Sequence, residues 1–219
     1  MPSKMTAVIF DMDGLMLDTQ QIGLRTWHRV CTEWGYDFKD EYYHQVIGKT
    51  IPDIGKAYRQ IFGPEFPFEE MYEVRKVYFE SLVRTEGIPV KPGLIALLDW
   101  IDQATLPKAV ATSTDRLRAE ERLKVSGIID RFTISVCGDE VDNGKPAPDI
   151  FLAAAEKLNT PPEECIVLED SEAGVRASHA AGMRSIMVPD LVQPTAEVTE
   201  MAYAVVPTLF EAKTIIEQL

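Results

Sequence analysis

The chain has 219 residues, of which 46% are hydrophobic, and it carries a formal net charge of −13. This length fits one domain with a substantial insertion or two small domains, and the apolar fraction is ample for a packed core. The acidic balance argues against nucleic acid and anionic membranes as partners, because both require a basic surface.

The sequence also limits the cellular location and the role of the cysteines. No run of about 18 apolar residues is present, and the first predicted strand follows the N-terminus too closely for a signal peptide, so we expect a cytoplasmic protein. The cysteines lack the spacing of zinc sites or disulfides, and we expect buried small hydrophobic side chains at Cys31, Cys137 and Cys165. Size and acidic surface favour a monomer.

The first predicted strand ends in a pair of carboxylates. Val8-Ile9-Phe10 is typical of a buried parallel strand, and Asp11-Met12-Asp13-Gly14 follows directly. Alternation places Asp11 and Asp13 on the same side, and two like charges so close are unfavourable unless a cation neutralises them or one stays protonated. The pair suits phosphoryl transfer with Mg²⁺, although it also suits a plain strand end or helix cap.

A helical insertion is predicted after this strand. Helical periodicity runs from Asp18 to a stop at Gly35, and continues over 40–47, 51–62 and 68–86. No strand is predicted from Asp18 to about Gly87. We therefore expect residues 18–87 to form an all-α cap with an aromatic core, inserted into an α/β core of residues 1–17 and 88–219.

Strands and helices alternate over the rest of the chain. Predicted strands are 108–112, 132–136, 165–168, 185–188 and 204–206. Predicted helices are 92–100, 116–125, 148–158, 172–181 and 208–219. This alternation predicts an α/β fold with a doubly wound, Rossmann-like parallel sheet, whose ligands bind at the carboxyl ends of the strands.

Two predicted loops carry groups suited to a phosphate. Thr112-Ser113-Thr114-Asp115 follows the second core strand, where hydroxyls and amides at a helix start suit phosphate oxygens. Thr114 or Asp115 equally suits the helix N-cap, which leaves Thr112 and Ser113 for the ligand. Lys145 lies between a glycine and a proline; a lone lysine is usually a solvated charge, but in an acidic cleft it would offset phosphate and nucleophile.

A second acidic strand end lies at Glu169-Asp170, after the apolar Ile166-Val167-Leu168. Its placement mirrors that of Asp11 on a neighbouring strand. Oxygen ligands from two strand ends are what octahedral Mg²⁺ requires, with waters and a substrate oxygen completing the shell. The alternative is that Asp170 or Ser171 simply caps the next helix.

These motifs together resemble the haloacid dehalogenase superfamily, and most closely its subgroup of β-phosphoglucomutase and small sugar phosphatases. The resemblance covers the whole chain and rests on Asp11-x-Asp13-Gly14, Thr112, Lys145 in G-K-P-x-P-D, and Glu169-Asp170-Ser171. In that family the helical insertion is a cap. The second acid, Asp13, favours phosphoryl transfer over dehalogenation, because the family's dehalogenases lack it.

The resemblance implies a role for each of these positions. Asp11 would be the nucleophile that becomes an aspartyl phosphate, and Asp13 the acid for the leaving group and then the base for water. Mg²⁺ would be held by Asp11, the backbone carbonyl of Asp13, and Asp170. Glu169 would ligate through water or orient other groups. The phosphoryl oxygens would be held by Thr112, Ser113 and Lys145.

Three functions remain open at this point. The first is a Mg²⁺-dependent phosphatase of a small phosphorylated metabolite such as a sugar or polyol phosphate. The second is a β-phosphoglucomutase-type transfer, and the third is a non-catalytic Mg²⁺-binding phospho-switch, which leaves the insertion unexplained. In β-phosphoglucomutases an arginine follows the cap glycine loop and a histidine follows the aspartate motif. Here the loop is Gly48-Lys49-Thr50-Ile51, with Ile51 near the place of that arginine, and Gly23 lies near the place of the histidine. Lys49 could replace the charge of the arginine but not its bidentate geometry, so these departures favour hydrolysis.

Overall fold

A computed structural model of the protein describes residues 4–47 and 49–219, and the chain divides into two compact units. The first unit combines Met1–Asp18 with Ile88–Leu219, and the second is Thr19–Gly87. None of the helices within the described ranges is long and apolar enough to cross a membrane.

A six-stranded parallel sheet forms the centre of the first unit. In chain order its strands are β1 (Ala7–Phe10), β2 (Lys108–Ala111), β3 (Ser135–Val136), β4 (Cys165–Glu169), β5 (Arg184–Met187) and β6 (Ala204–Val205). Their spatial order is β3-β2-β1-β4-β5-β6 and each pair is parallel, which confirms the predicted doubly wound, Rossmann-like α/β fold. In this order the chain direction across the sheet reverses beside β1, so ligands are expected at the carboxyl ends of β1 and its neighbours.

The two central strands are apolar because both of their faces are covered. Every residue of β1 and β4 is buried, and Ile9 pairs with Ala109 on one side and Val167 on the other. Helices of this unit are α5 (Leu94–Gln103), α6 (Arg116–Val125), α7 (Asp149–Lys157), α8 (Glu172–Ala180), α9 (Ala196–Met201) and α10 (Leu209–Ile216). Phe151 of α7 and Ala177 of α8 join Ile9 in one core cluster.

The predicted elements differ from the observed ones mainly at the edges of the sheet. Strand β3 has two residues, Ser135–Val136, where five were predicted, and a 3₁₀ turn at Ile129–Arg131 precedes it. Helix α9 was not predicted; it buries only Val198, so its sequence carries too few apolar positions to show a helical period. The last helix begins after Thr208, whose side chain accepts from the Phe210 amide as N-cap.

The described part of the second unit contains helices and no strand. Its helices are α1 (Thr19–Glu33), α2 (Asp40–His44), α3 (Ile51–Phe62) and α4 (Phe68–Glu86). Aromatic rings form its core, as predicted: the Trp27 ring lies edge-on to Tyr58 at 4.9 Å and stacks on Phe68 at 5.9 Å. Gly48, which belongs to the loop singled out in the sequence, lies outside the described residues.

The chain leaves and re-enters the first unit along two paired segments. The Asp18 amide donates to the Pro89 carbonyl, and the Lys91 amide donates to the Met16 carbonyl. Between them, Leu17 and Val90 form an antiparallel bridge. The start and the end of the insertion are therefore hydrogen-bonded side by side.

The three cysteines, Cys31, Cys137 and Cys165, are all buried and carry free thiols, which confirms the prediction that they are small hydrophobic core residues. Burial raises the pKa of the Cys165 thiol to about 11 and that of Cys137 to about 11 as well. Thiols with such raised pKa values are poor nucleophiles at neutral pH.

Candidate active site

Three neighbouring strands bring the chemistry-bearing residues to one edge of the sheet. Strands β2, β1 and β4 are adjacent, so the residues after them meet at their carboxyl ends. Asp11 directly follows β1, and Thr112 follows β2. Glu169 is the last residue of β4, and Asp170 comes next. The Asp11 amide also donates to the Leu168 carbonyl, which fixes the end of β1 against β4.

Lys145 lies at the centre of this group. Its ammonium group donates to Asp11 Oδ1 at 2.5 Å, to Glu169 Oε1 at 2.6 Å and to the Ala111 carbonyl at 3.2 Å. These three acceptors match the three donors of an ammonium group. Its side chain is only 6% exposed, so this lysine is a buried counter-ion and not the solvated surface charge that was the alternative.

Burial changes how these groups bind protons. Burial opposes the positive charge of Lys145, but the carboxylates of Asp11 and Glu169 outweigh it and raise the lysine pKa. For Asp11, burial outweighs the attraction of Lys145, and Glu169 adds repulsion, so its pKa rises to about 8. The pKa of Asp170 is likewise raised, by burial and then by Glu169 and Asp11.

Three buried carboxylates therefore share one lysine. Oxygens of Asp11, Glu169 and Asp170 all lie within 4.8 Å of one another. When all three are ionised, Lys145 leaves two negative charges uncompensated, which is costly in a buried site unless a cation is bound. An all-oxygen donor set of this kind fits Mg²⁺ better than softer metals.

Glu169 is the least available of the three for a metal. Its Oε1 accepts from Lys145, and its Oε2 accepts from both the amide and the hydroxyl of Ser171 at 2.9 Å. Gly174 makes this arrangement possible, because a Cβ there would lie 1.8 Å from Glu169 Oε1. Ser171 is also the N-cap of α8, accepting from the Gly174 amide, so the capping alternative holds for Ser171.

A fourth acid, Asp190, adds negative charge near Asp170. It contributes repulsion that raises the Asp170 pKa further. Asp190 follows β5 and its Oδ1 accepts from Lys91 at 2.6 Å, with its side chain 8% exposed. The sequence interpretation missed this pair, although a polar residue shortly after a strand is a general signal in this fold.

Asp13 is held by a different set of partners. Its Oδ2 accepts from the Thr114 hydroxyl at 2.7 Å, and its Oδ1 accepts from Arg122 Nη1 at 2.9 Å. Arg122 Nη1 also donates to the Thr114 hydroxyl at 3.2 Å. Gly14, with φ of 93°, turns the chain directly after Asp13 in a conformation that favours glycine.

The loop after β2 is fixed by hydrogen bonds of its own. The Thr112 hydroxyl accepts from the Thr114 amide at 3.2 Å, and the Thr114 carbonyl accepts from the Gly138 amide at 3.0 Å. A Cβ on Gly138 would lie 2.2 Å from the Ser113 carbonyl oxygen, so only glycine permits this approach. Thr112 is buried and Ser113 is exposed. Asp115 is the N-cap of α6, as one of the two alternatives predicted.

Comparison with known proteins identifies the family. The sequence profile of the haloacid dehalogenase-like hydrolases matches residues 8–188, which include every site residue described above except Asp190. The chain belongs to the haloacid dehalogenase-like hydrolase family. It is therefore an enzyme of the hydrolase class, as the sequence motifs indicated.

Relatives of known sequence and structure agree with this assignment. The chain is 33% identical over 186 residues to the phosphorylated carbohydrates phosphatase of Thermotoga maritima, covering 83% of this chain and 84% of the relative. It is 31% identical over 180 residues to hexitol phosphatase A of Escherichia coli, covering 82% and 81%. A solved structure of a putative β-phosphoglucomutase from Thermotoga maritima matches with a TM-score of 0.81 and 28% identity, covering 98% and 100%.

In this haloacid dehalogenase-like hydrolase the structure brings four of the predicted residues together. Lys145 donates to Asp11 and Glu169, and an oxygen of Asp170 lies within 4.8 Å of oxygens of both carboxylates. Asp13 influences Asp11 electrostatically but is bound by Thr114 and Arg122. The sequence interpretation missed Arg122 altogether. Its contact with Thr114, which precedes the N-cap Asp115 of α6, depends on how the loop after β2 folds and left no signal in the sequence.

Proposed function

We propose that this enzyme is a Mg²⁺-dependent phosphatase of small phosphorylated metabolites, with sugar or polyol phosphates as the substrate class. The observation that carries the proposal is the Asp11 carboxylate, buried beside Lys145 and within ligand distance of Asp170. Similarity to enzymes named as phosphatases of phosphorylated carbohydrates and of hexitol phosphates supports the substrate class.

The reaction consists of two displacements at one phosphorus atom. In the first, a carboxylate oxygen of Asp11 attacks phosphorus, the bond to the leaving oxygen breaks, and Asp13 gives that oxygen its proton. In the second, Asp13 takes a proton from water as the water oxygen attacks the aspartyl phosphate. Inorganic phosphate leaves and the Asp11 carboxylate is restored.

Phosphoryl oxygens are assigned to Thr112, Ser113 and Lys145. The hydroxyl and amide groups after β2 lie at the same sheet edge as Asp11, and Lys145 already donates to Asp11. A cation between nucleophile and phosphate reduces their mutual repulsion and stabilises charge in the transition state. The Glu169 carboxylate keeps this lysine in place.

Asp11, Asp170 and the backbone carbonyl of Asp13 are assigned as ligands of the metal. Bound Mg²⁺ would neutralise charge on the phosphoryl group and orient it for attack. Glu169 is assigned to Lys145 and Ser171, because both of its oxygens already accept hydrogen bonds from them.

A β-phosphoglucomutase-type transfer is the second candidate, supported by similarity to a putative member of that class. Observations in the helical unit favour hydrolysis. Ile51, near the place of the mutase arginine, is an apolar side chain that is 49% exposed, and it offers no cation to hold a distal phosphate. At Gly23, near the place of the mutase histidine, a Cβ would lie 2.2 Å from the Tyr43 hydroxyl and 3.0 Å from Arg75 Nη2, so a histidine requires rearrangement.

The test is turnover of p-nitrophenyl phosphate by the purified protein with Mg²⁺, and with EDTA in its place. We expect many phosphates released per protein molecule with Mg²⁺ and none above background with EDTA. Release of a single equivalent of p-nitrophenolate, with the phosphoryl group retained on the protein, would instead support a phospho-switch. Asp11→Asn is the control, since it separates turnover at this site from contaminating phosphatases.

A further inference from the structure

Asp13 is held by both of its oxygens before any substrate is bound. Thr114 and Arg122 donate to different oxygens, at 2.7 Å and 2.9 Å, and the donors also contact each other at 3.2 Å. The Arg122 side chain is 12% exposed and that of Asp13 is 22% exposed. A shielded, charge-assisted arrangement of this kind is stronger than a surface ion pair.

The donors themselves are rigidly placed. Arg122 lies on α6, whose N-terminus is capped by Asp115. Arg116, at the start of the same helix, donates to the Glu140 carboxylate from two nitrogens and also donates to the Ser135 carbonyl. The Arg122 guanidinium is therefore presented by a helix that is anchored at its beginning.

We propose that Arg122, together with Thr114, is a positioning residue for proton transfer by Asp13. The inference rests on the proposed function, in which Asp13 is the acid of the first displacement. Each Asp13 oxygen keeps one further lone pair beyond its bond to Thr114 or Arg122, and a proton carried there has a fixed direction. The same two donors stabilise the Asp13 carboxylate that forms when the proton moves to the leaving oxygen and the phosphorus–oxygen bond breaks.

This role depends on the leaving group. p-Nitrophenolate is weakly basic and departs with little help from an acid, whereas phenolate is more basic and gains more from protonation. The two aryl phosphates are nearly equal in size, so a general packing defect affects them alike. Loss of Arg122 therefore affects phenyl phosphate more strongly than p-nitrophenyl phosphate.

The experiment compares kcat/KM of the Mg²⁺-loaded enzyme for these two phosphates in Arg122→Gln and Thr114→Val. We expect kcat/KM to fall about 10²-fold for phenyl phosphate and less than about fivefold for p-nitrophenyl phosphate in Arg122→Gln. Arg122→Lys should restore part of the loss. Lys124→Gln removes a positive charge from an exposed position of the same helix and serves as the matched control.

Asp13→Asn separates this inference from the proposed function. In one outcome, Asp13→Asn lowers kcat/KM selectively for phenyl phosphate, while Arg122→Gln and Thr114→Val lower kcat/KM equally for both substrates. The positioning role is then wrong and the proposed mechanism stands. If Asp13→Asn lowers kcat/KM equally for the two substrates, Asp13 is not the acid of the first displacement, and the positioning role of Arg122 and Thr114 fails with it. If Arg122→Gln does not fold, Thr114→Val and Arg122→Lys still test the positioning role. The Mg²⁺ affinity of each variant, measured by calorimetry, should equal that of the wild type.

Discussion

Lys145 donates to Asp11 Oδ1 at 2.5 Å, although 134 residues separate them in the sequence. This bond fixes one oxygen of the proposed nucleophile and places a positive charge where a phosphate would approach. It also ties the loop after β3 to the end of β1. The strongest test of the proposed chemistry therefore acts at Asp11.

Asp11→Asn should abolish turnover without unfolding the protein. The amide keeps the shape of the side chain but loses the attacking charge and a proposed metal ligand, so kcat should fall at least about 10³-fold. Circular dichroism and thermal melting check the fold, and p-nitrophenyl phosphate hydrolysis checks the activity. A folded variant that loses clearly less than about 10³-fold in kcat would show that Asp11 is not the nucleophile.

Asp170→Asn and Glu169→Gln should differ in their metal dependence. Asp170 is assigned to Mg²⁺, so its replacement should raise the Mg²⁺ concentration for half-maximal activity at least about tenfold. Glu169 instead holds Lys145, so Glu169→Gln should lower kcat with a smaller change in that concentration. Titrating EDTA-treated protein with Mg²⁺ measures both, and Ca²⁺ should inhibit because it favours more ligands. The opposite ranking would reverse the two assignments.

Gly174→Ala should disturb the site by displacing the Glu169 carboxylate. A Cβ there would lie 1.8 Å from Glu169 Oε1, and Glu169 can move only by breaking its bonds to Lys145 and Ser171. We expect a loss of about 1–3 kcal/mol in the free energy of unfolding, together with reduced kcat. Gly144→Ala, which meets no atom within 4 Å, is the matched control for stability. Equal stability of the two variants would contradict this explanation of Gly174.

The metal-free protein should lose stability as the pH rises from about 4 to about 8. Burial raises the pKa of Asp11 from 3.8 to about 8. Within this window the folded state keeps a proton that the unfolded state has released, so the free energy of unfolding falls with increasing pH. Melting in EDTA at several pH values measures the effect.

Other carboxyl groups act in the opposite direction, such as Glu140, whose pKa is lowered in the folded state, chiefly by Arg116 against the effect of burial. The relevant quantity is therefore the difference between wild type and Asp11→Asn, which should lose less stability over the same range. Mg²⁺ should stabilise wild type more at pH 8 than at pH 5, because ligation requires ionised carboxylates. Equal pH dependence in both proteins would refute the assignment to Asp11.

Hydrolase and mutase can be separated with one substrate mixture. We expect β-glucose 1-phosphate with a trace of the 1,6-bisphosphate to yield free phosphate without rapid conversion to glucose 6-phosphate. The reason is that a mutase must hold the distal phosphate with a cap cation, and Ile51 stands near that place. Rapid isomerisation with negligible phosphate release would favour the mutase.

The sequence predicted the sheet and the residues at its strand ends because both follow from local patterns. Asp11, Lys145 and Asp170 each stand beside an apolar run or in a loop with a strong backbone signal. Helices α3, α4 and α6 were predicted with their observed bounds. Their apolar periodicity and end signals agree with the tertiary structure.

The partners of Asp13 could not be predicted in the same way. Thr114 and Arg122 are 101 and 109 residues away from it in the sequence, and only the pairing of β1 with β2 brings them near. The resemblance implied different roles for Glu169 and Asp170, but the bonding of Glu169 could not be derived from the sequence pattern. It depends on which oxygen reaches Lys145 and on the missing Cβ of Gly174.

The bridge between Leu17 and Val90 holds the two ends of the insertion next to each other. Because its two ends are hydrogen-bonded side by side, a helical module of another length can be spliced between them without stretching the strands that carry Asp11 and Asp170. Chimaeras joined at Leu17 and Val90 should therefore keep the sheet and the site residues at its strand ends.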